Sequence, residues 1–355
     1  MSFRSDQLKN LMDEKNLEAF IVDATQNLFY LTGFTGTSGK LLFTPDHNYL
    51  LTDFRYSEQA EQETNDFEII EIDETYSEKI GALISRENIK KIGFEAKEVS
   101  YSQYQKYLKQ CDDIKLIATR ELVEQMRVIK EKNEINKIKK AVEITDKAFN
   151  HILDFIKPGL TEREIGLELE FFMKKHGGSK NAFDFIVASG KRSSLPHGVA
   201  TPKPIAKGDF ITIDFGTKYQ GYCSDMTRTV VLGSPTSFQS EIYELVRKAQ
   251  LEVIKEIRPG MTAKQIDNIA RNIIKKAGYG NNFKHSLGHS LGIEVHEKPQ
   301  ISYKSEKVIK PGMVITDEPG IYISDWGGVR IEDDLLITEN GCEVLNNSTK
   351  DLISI

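Results

Sequence analysis

The sequence predicts two domains built differently. The first, over residues 1–124, is an α/β domain with a mixed sheet; the second, over residues 125–355, is an α+β domain with a pseudo-twofold internal repeat. Three observations carry this reading. Up to residue 120, short apolar runs alternate with helix-periodic stretches, the pattern of an α/β module. Residues 121–148 then form a long, charged, helix-periodic stretch that reads as a connection. Beyond it the chain repeats itself, with KPGLTEREIGLELEFFMKKHG (157–177) aligning without a gap on RPGMTAKQIDNIARNIIKKAG (258–278). A length of 355 residues also exceeds what one hydrophobic core usually reaches.

In chain order, a helix is predicted at 5–15, followed by strands AFIVDA (19–24), NYLLTD (48–53), FEIIEID (67–73), KIGFEA (91–96) and IKLIA (114–118). Helices at 75–86 and 100–110 fit between the later strands. LTGFTGTSG (31–39) is glycine-rich, but its spacing matches neither a dinucleotide fingerprint nor a phosphate-binding loop, so it reads as a turn. In the repeat, each copy carries Pro-Gly, then Thr161 or Thr262 as helix N-cap with Glu164 or Gln265 three residues on. That is a capping box opening an amphipathic helix.

Composition excludes several classes. Apolar residues make up 39% and charged residues 28%, as in a globular protein. The net charge of −6 is spread along the chain with no basic stripe, which argues against a nucleic-acid partner. No apolar run reaches membrane length, and the polar start MSFRSDQLKNLMDEKN has no signal-peptide core. Cys111, Cys223 and Cys342 are odd in number, far apart and without metal-type spacing, so a reducing, cytoplasmic compartment is expected.

The strands after the two repeated helices also correspond. KGDFITIDFG (207–216) answers KPGMVITDEPG (310–320), setting Asp214 against Glu318. Alternation puts Ile211, Ile213 and Phe215 on one face and Thr212 and Asp214 on the other. GTKYQG then reverses the chain, and YCSDMTRTVVL returns with Asp225 available to the same pocket. In the second half GGVRIEDDLLI reads as one strand, with Arg330, Glu332 and Asp334 on one face, so that Glu332 answers Asp225. Four carboxylates converging in a sheet interior would repel one another and lose hydration. Two divalent cations would balance four negative charges, the stoichiometry of a two-metal hydrolase.

HSLGHSLGIEVHE adds His285, His289 and His296, and SSLPHGVA adds His197 in a loop. His285 and His289 share a face, whereas His296 needs a bend near Gly292 to join them. No glutamate follows His285, so this is not a zincin helix. Taken singly each histidine suits a core or surface role; grouped beside two acidic hairpins they point to ligand or acid–base roles.

The order PHG, Asp214, Asp225, HSLGHSLGIEVHE, DEPGIY, GGVRIED resembles the Xaa-Pro peptidase branch (prolidase and aminopeptidase P type) of the methionine-aminopeptidase/creatinase family. YLTGFTG and LLTDFRYSEQA resemble that branch's N-terminal domain, and MRVIKEKNEI its interdomain helix. The resemblance implies a creatinase/prolidase-type domain at 1–124 and a pita-bread metallopeptidase domain at 125–355. It further implies removal of an N-terminal residue whose next neighbour is proline, small peptide substrates, and a homodimer. Carried over residue by residue, Asp214, Asp225, His289, Glu318 and Glu332 become metal ligands, with Asp225 and Glu332 bridging two ions. A mostly oxygen set suits Mn²⁺, with Co²⁺ as a substitute, and a bridging hydroxide would attack the scissile carbonyl. Glu318 becomes the proton shuttle, His197 and His296 bind substrate and steady the tetrahedral intermediate, and His285 lines the proline side. Arg330 would order the acidic pocket or meet a substrate carboxylate.

Ser290 stands where the family has glycine and would narrow the backbone approach there; Asp317 and Asp333 fall on the wrong face for ligands. Asp334 is expected beside the ligands or in solvent, and Cys223 as a small buried filler. Two rival readings share the fold: a metal-free amidinohydrolase and a non-catalytic binding domain. Both are disfavoured by the complete carboxylate set.

Overall fold

A computed structural model describes residues 3–110 and 114–355, so the reading of Cys111 lies outside the described residues. The chain divides into two compact units, Met1–Arg127 and Val128–Ile355. No helix among the described residues is long and apolar enough to cross a membrane.

The first unit runs α1 (Phe3–Glu14), β1 (Ala19–Val22), α2 (Thr25–Thr32), β2 (Lys40–Phe43), β3 (Asn48–Thr52), α3 (Ser57–Glu63), β4 (Glu68–Glu71), α4 (Tyr76–Arg86), β5 (Lys91–Glu95), α5 (Tyr101–Gln110) and β6 (Lys115–Thr119). Its six strands form one mixed sheet in the order β4-β3-β2-β1-β5-β6. Both faces of β1 are buried, which is why AFIV is apolar throughout instead of alternating. Three elements go beyond the sequence reading: α2, β2 and α3. The eight-residue α2 begins before the expected glycine loop and stops at Gly33, whose φ of 82° suits a left-handed helix cap.

The second unit opens with α6 (Lys132–Phe155) and α7 (Glu162–Lys175). Here the predicted connection over 121–148 is corrected, because 121–131 is turns and the helix begins only at Lys132. Glu134 sets that start by accepting the backbone N–H of Glu131 at 2.8 Å. Strands β7 (Lys180–Asn181), β8 (Ile186–Ser189), β9 (Phe210–Phe215), β10 (Thr217–Tyr219), β11 (Tyr222–Cys223) and β12 (Met226–Val231) follow. The second half then supplies α8 (Ser237–Glu256), α9 (Ala263–Lys276), β13 (Gly288–Ser290), β14 (Glu297–Ile301), β15 (Val314–Asp317), β16 (Gly320–Ile323), β17 (Gly327–Arg330), β18 (Asp333–Ile337) and β19 (Cys342–Val344). Thr161 and Thr262 cap α7 and α9 as the repeat implies, and Thr236 with Gln239 caps α8, a helix absent from the sequence reading although it carries the same signal.

Each half keeps its own core. In the first, Ile144, Phe149 and Ile152 of α6 and Ile165 and Leu169 of α7 pack on Ile211, Ile213 and Phe215, the apolar face of β9. In the second, Ile242, Val246 and Val253 of α8 and Ile266, Ala270 and Ile274 of α9 pack on Ile315, Leu335 and Ile337. The sheets are β12-β9-β8 and β14-β13-β15-β18-β19, so β9 and β15 hold equivalent interior places and turn their polar faces toward the same cavity.

GGVRIEDDLLI is not one strand. It splits into β17, paired with β16, and β18, paired with β15, with Ile331 and Glu332 between them. The backbone N–H of Glu332 leaves its own sheet to reach Thr227 O of β12 at 3.1 Å. Arg330 N–H likewise reaches Thr229 Oγ1 at 3.2 Å, and the Arg228 guanidinium donates to Glu332 O at 2.5 Å. The second half is thereby stitched along the outer edge of β12.

Candidate active site

Asp214, Asp225, His197, His285, His289, His296, Glu318, Arg330 and Glu332 all line one cavity of about 930 Å³. Asp214 sits on β9 opposite Thr227 of β12, and Asp225 lies in the return just ahead of β12. Glu318 follows β15 where Pro319 ends the ladder, and Glu332 occupies the break between β17 and β18. His289 lies on β13, whose backbone approaches β15 so closely that a Cβ on Gly288 would stand 2.1 Å from Thr316 O. Only glycine fits there.

The acidic end of the cavity is buried: Asp225 is 4% exposed and Glu332 2%. Ligand atoms of Asp225, His289 and Glu332 all fall within 4.8 Å of one another. His289 Nε2 is 3.7 Å from Asp225 Oδ2 and 3.5 Å from Glu318 Oε1. Asp214 stands apart from that trio, held by Arg330 Nη2 at 2.5 Å. Arg330 also donates to Tyr322 Oη at 2.6 Å, to Pro196 O at 3.1 Å and to Thr227 Oγ1 at 3.0 Å, so both of the cavity's acidic hairpins are reached from one guanidinium. Thr227 in turn donates to Glu332 Oε2 at 2.5 Å.

Electrostatics follow from that crowding. Burial, then the charges of Glu332 and Asp214, pushes Asp225 well above the usual carboxylate range. Burial, then Glu318 and Asp214, does the same to Glu332. Burial raises Glu318 to about 8. In the same cavity burial lowers His289 to about 3, with His296 as the next cause, so its imidazole is neutral and can offer a lone pair. Oδ1 of Asp214 and Oδ1 of Asp225 are buried and accept no hydrogen bond from the protein. Orphaned carboxylate oxygens, mutually raised acids and a neutral imidazole form a donor set suited to divalent cations, whose charge would relieve each of these penalties.

The remaining histidines have distinct surroundings. His285, partly buried, packs against Phe283 and Tyr322, with ring centroids 5.0 and 5.4 Å away. Its Nε2 meets no partner, and burial followed by the Arg330 charge lowers it to about 3. The chain bends at 292–296 and brings the His296 ring to 4.4 Å from that of His289. His197 is exposed on the cavity wall beside Pro196.

Asp334 is fully buried, not solvated, and accepts the backbone N–H of Asp225 at 3.0 Å. Asp333 points away into an ion pair with Arg228 at 2.7 Å and Lys350 at 2.9 Å. Asp317 is likewise buried on the far face, and burial raises its carboxyl well above the usual range. Ser290 spends its hydroxyl on Val314 O at 2.7 Å, so what replaces glycine here is a strand-to-strand bond. Cys223 is fully buried, its Sγ 3.5 Å from Ile293 O. Thr227 and Tyr322 escape sequence reasoning, yet alternation from Asp225 and from Gly320 puts each on the cavity face.

Known proteins match the chain from end to end. Residues 136–339 match metallopeptidase family M24, and residues 4–129 match the creatinase/prolidase N-terminal domain. The solved Xaa-Pro dipeptidase from Bacillus anthracis is 43% identical, with 99% of both chains covered and a TM-score of 0.97. An X-Pro aminopeptidase from Thermotoga maritima MSB8 is 39% identical over 98% of this chain and 100% of its own, at a TM-score of 0.92. The Xaa-Pro dipeptidase of Pyrococcus horikoshii is 41% identical over 359 residues, 99% of this chain and 100% of that protein. The fold is thus a creatinase-type N-terminal domain joined to a pita-bread catalytic domain. With its carboxylates, histidine and family match in agreement, the chain belongs to metallopeptidase family M24, hydrolases that work with divalent metal ions.

Proposed function

We propose that this protein is a dinuclear metallopeptidase that removes an N-terminal residue standing ahead of proline, with Xaa-Pro dipeptides as its main substrates. The observation that carries the reading is the Asp225–His289–Glu332 constellation with its two buried carboxylates, and unpartnered oxygens on Asp214 and Asp225, in a chain similar throughout to Xaa-Pro dipeptidases. Asp214, Asp225, His289, Glu318 and Glu332 would hold the ions. Mn²⁺ is the expected metal because four of five donors are carboxylates, and Co²⁺ is the expected substitute. Bound there, two divalent ions would supply Lewis acidity and acidify a water at neutral pH.

The chain's own residues do the rest. Glu318, raised without metal but held ionised once cations are bound, would take a proton on the attack side and pass it to the proline nitrogen. Arg330 orients the Asp214 carboxylate through Oδ2 and leaves its Oδ1, which has no protein partner, to meet an ion. His197 and His296, both on the cavity wall, donate to the substrate and to the oxyanion as it forms. His285, with Tyr322 and Phe283 against it, makes the proline side a mostly apolar wall bearing one unpartnered nitrogen. A rigid proline ring presents its tertiary amide to such a wall in a fixed orientation.

Likeness to an X-Pro aminopeptidase favours longer peptides as a second reading. Rates on Ala-Pro, Ala-Pro-Ala and Ala-Ala, measured side by side with Mn²⁺, decide. Faster release from Ala-Pro supports the dipeptidase, faster release from Ala-Pro-Ala supports the aminopeptidase, and equal cleavage of Ala-Ala removes the proline assignment. A homodimer, a cytoplasmic setting, domain limits of 1–124 and 125–355, and the absence of nucleic-acid and membrane partners belong to the same proposal. Sedimentation tests the first.

A further inference from the structure

MRVIKEKNEI holds a cation that the proposed chemistry does not use. Lys130 lies in the turn ahead of α6, anchored through its backbone N–H to Gly312 O at 2.8 Å. Its side chain is 1% exposed, and Nζ stands 3.0 Å from Glu297 Oε2, a carboxylate 6% exposed. Nζ also lies 3.3 Å from Ser290 Oγ. Buried ions in contact are costly to desolvate, and a fully apolar pair would serve stability as well or better. What they touch gives the reason for them.

Ser290 directly follows His289, and Glu297 directly follows His296. Across the β13–β14 ladder Ser290 faces Glu297, and the register shifts between His289 and Ser290, where β14 carries Lys298 and Pro299 as extra residues opposite them. The bend between the two histidines has few ladder bonds of its own. Glu297 Oε1 accepts the backbone N–H groups of Ile293 at 3.0 Å and Glu294 at 3.3 Å, closing the bend from inside. A Cβ on Gly292 would stand 2.8 Å from that same carboxylate, so the loop is built around it. Lys130 therefore grips both stems of the loop at once: the His289 stem through Ser290, and the His296 stem through Glu297.

We propose that the Lys130–Glu297 ion pair is a positioning device that sets the His289 and His296 imidazoles against each other at the acidic end of the cavity. It acts through the stems of the bend and touches neither substrate nor metal. The inference rests on the metal-site reading above and assigns a task to residues outside it. A clamp of this kind tunes how well a ligand histidine meets its ion, as residues behind metal ligands do, where loss changes affinity about 10- to 100-fold.

The test uses the full chain and reads Mn²⁺ affinity by calorimetry, kcat and KM on Ala-Pro, and the melting temperature of metal-free protein. Lys130→Met should weaken Mn²⁺ binding about 10- to 100-fold and lower kcat more than it changes KM. Lys130→Arg, which keeps the charge, should recover most of the affinity. Glu297→Gln keeps an acceptor for Ile293 and Glu294, loses the ion pair, and should weaken Mn²⁺ in the same direction even if Lys130→Met does not fold. The double variant should bind Mn²⁺ no worse than the poorer single one, because both remove one clamp. Mn²⁺ affinity and kcat within about twofold of wild type, with only the melting temperature lowered, would overturn the proposal and leave a structural ion pair. If wild type binds Mn²⁺ but leaves Ala-Pro intact, the peptidase assignment fails while the affinity comparison still decides the clamp.

Discussion

The two halves of the catalytic domain solve one problem with different backbones. The first sets Asp214 inside a ladder, with six residues of β9 paired to six of β12, and Asp225 in the return from the inserted β10–β11 hairpin. The second has a shorter ladder of four pairs, and both Glu318 and Glu332 stand off it, on either side of the β16–β17 hairpin. Asp214, the one acid on a ladder, has the short side chain, and both acids of the second half, off the ladder, have the longer one. Asp has one rotatable bond fewer than Glu, so a rigid strand with Asp fixes a carboxylate closely, whereas Glu adds reach where the backbone has left the sheet. The interruption also frees Arg330 to cross to Asp214 and Glu332 to bond Thr227, which a continuous β17–β18 strand would have kept in its own ladder. The longer ladder of one half supplies the frame, and the off-ladder backbone of the other supplies the closure.

The largest expected effect tests whether the proton-shuttle role belongs to the second half. Glu318→Gln should lower kcat on Ala-Pro by about 10²- to 10⁴-fold, since the proton route is lost. A fall of less than about tenfold with metal content unchanged would move that role elsewhere. Chelation should likewise abolish activity, with Mn²⁺ restoring it best; undiminished turnover by dialysed, metal-free protein would remove the dinuclear mechanism.

A smaller effect asks whether ions tie the halves together. Metal that binds only the native arrangement should stabilise it by about 3–4 kcal/mol at 100- to 1,000-fold saturation, raising the melting temperature. Asp225→Asn removes one of the crowded charges, so its metal-free form should melt close to wild type and gain less from Mn²⁺. Identical gains would show that the first half's Asp225 is not a ligand.

The pH dependence of the metal-free protein sharpens the same point. Asp225, Glu318 and Glu332 are raised in the folded state, so between their unfolded and folded values the native protein holds more protons than the unfolded chain. Stability from these groups is therefore lost as pH rises through that window, whose upper edge for Glu318 is about 8. His285 and His289, lowered to about 3, work in the opposite sense, but only below the ordinary histidine value of about 6.5. Melting temperature without metal should fall from about pH 6.5 to about pH 8, and Glu318→Gln should flatten the fall. A rise over that interval would contradict the crowding of the acids.

How far the sequence can be read divides along the same line. Asp214 and Asp225 are legible because alternation in FITIDFG and a tight turn are local rules. GGVRIEDDLLI passes for one strand because its break is set by bonds to β12, a partner distant in the chain. The cavity face of Arg330 is legible, whereas its engagement with Asp214 depends on contact between the halves. In the first unit, α2 and α3 are too short for periodicity to declare them, and the buried Lys130–Glu297 pair has no local signature at all. Both Thr-x-x-Glu/Gln caps are legible, since a capping box needs only four consecutive residues.

Those caps give the smallest prediction and the cleanest symmetry check. Thr161→Ala and Thr262→Ala should each cost about 1 kcal/mol in urea unfolding, with kcat unchanged, because each removes one cap bond outside the cavity lining. A markedly larger loss at one site would show that one half carries the domain's stability.

The stitch along β12 also bears on aggregation. In its own sheet β12 is an outer strand, covered at one end by Arg330–Glu332 and at the other by the pairing of Val231 with Ile353 and Ile355. Both covers come from the second half. A chain whose first half has folded while the second is still being made, or has come undone, presents that strand with its backbone groups unpaired, the template on which neighbouring chains add strands. The same segment that completes the carboxylate cluster is therefore the guard of an exposed edge, and variants that slow its docking should be lost to insoluble protein before they are lost to poor chemistry.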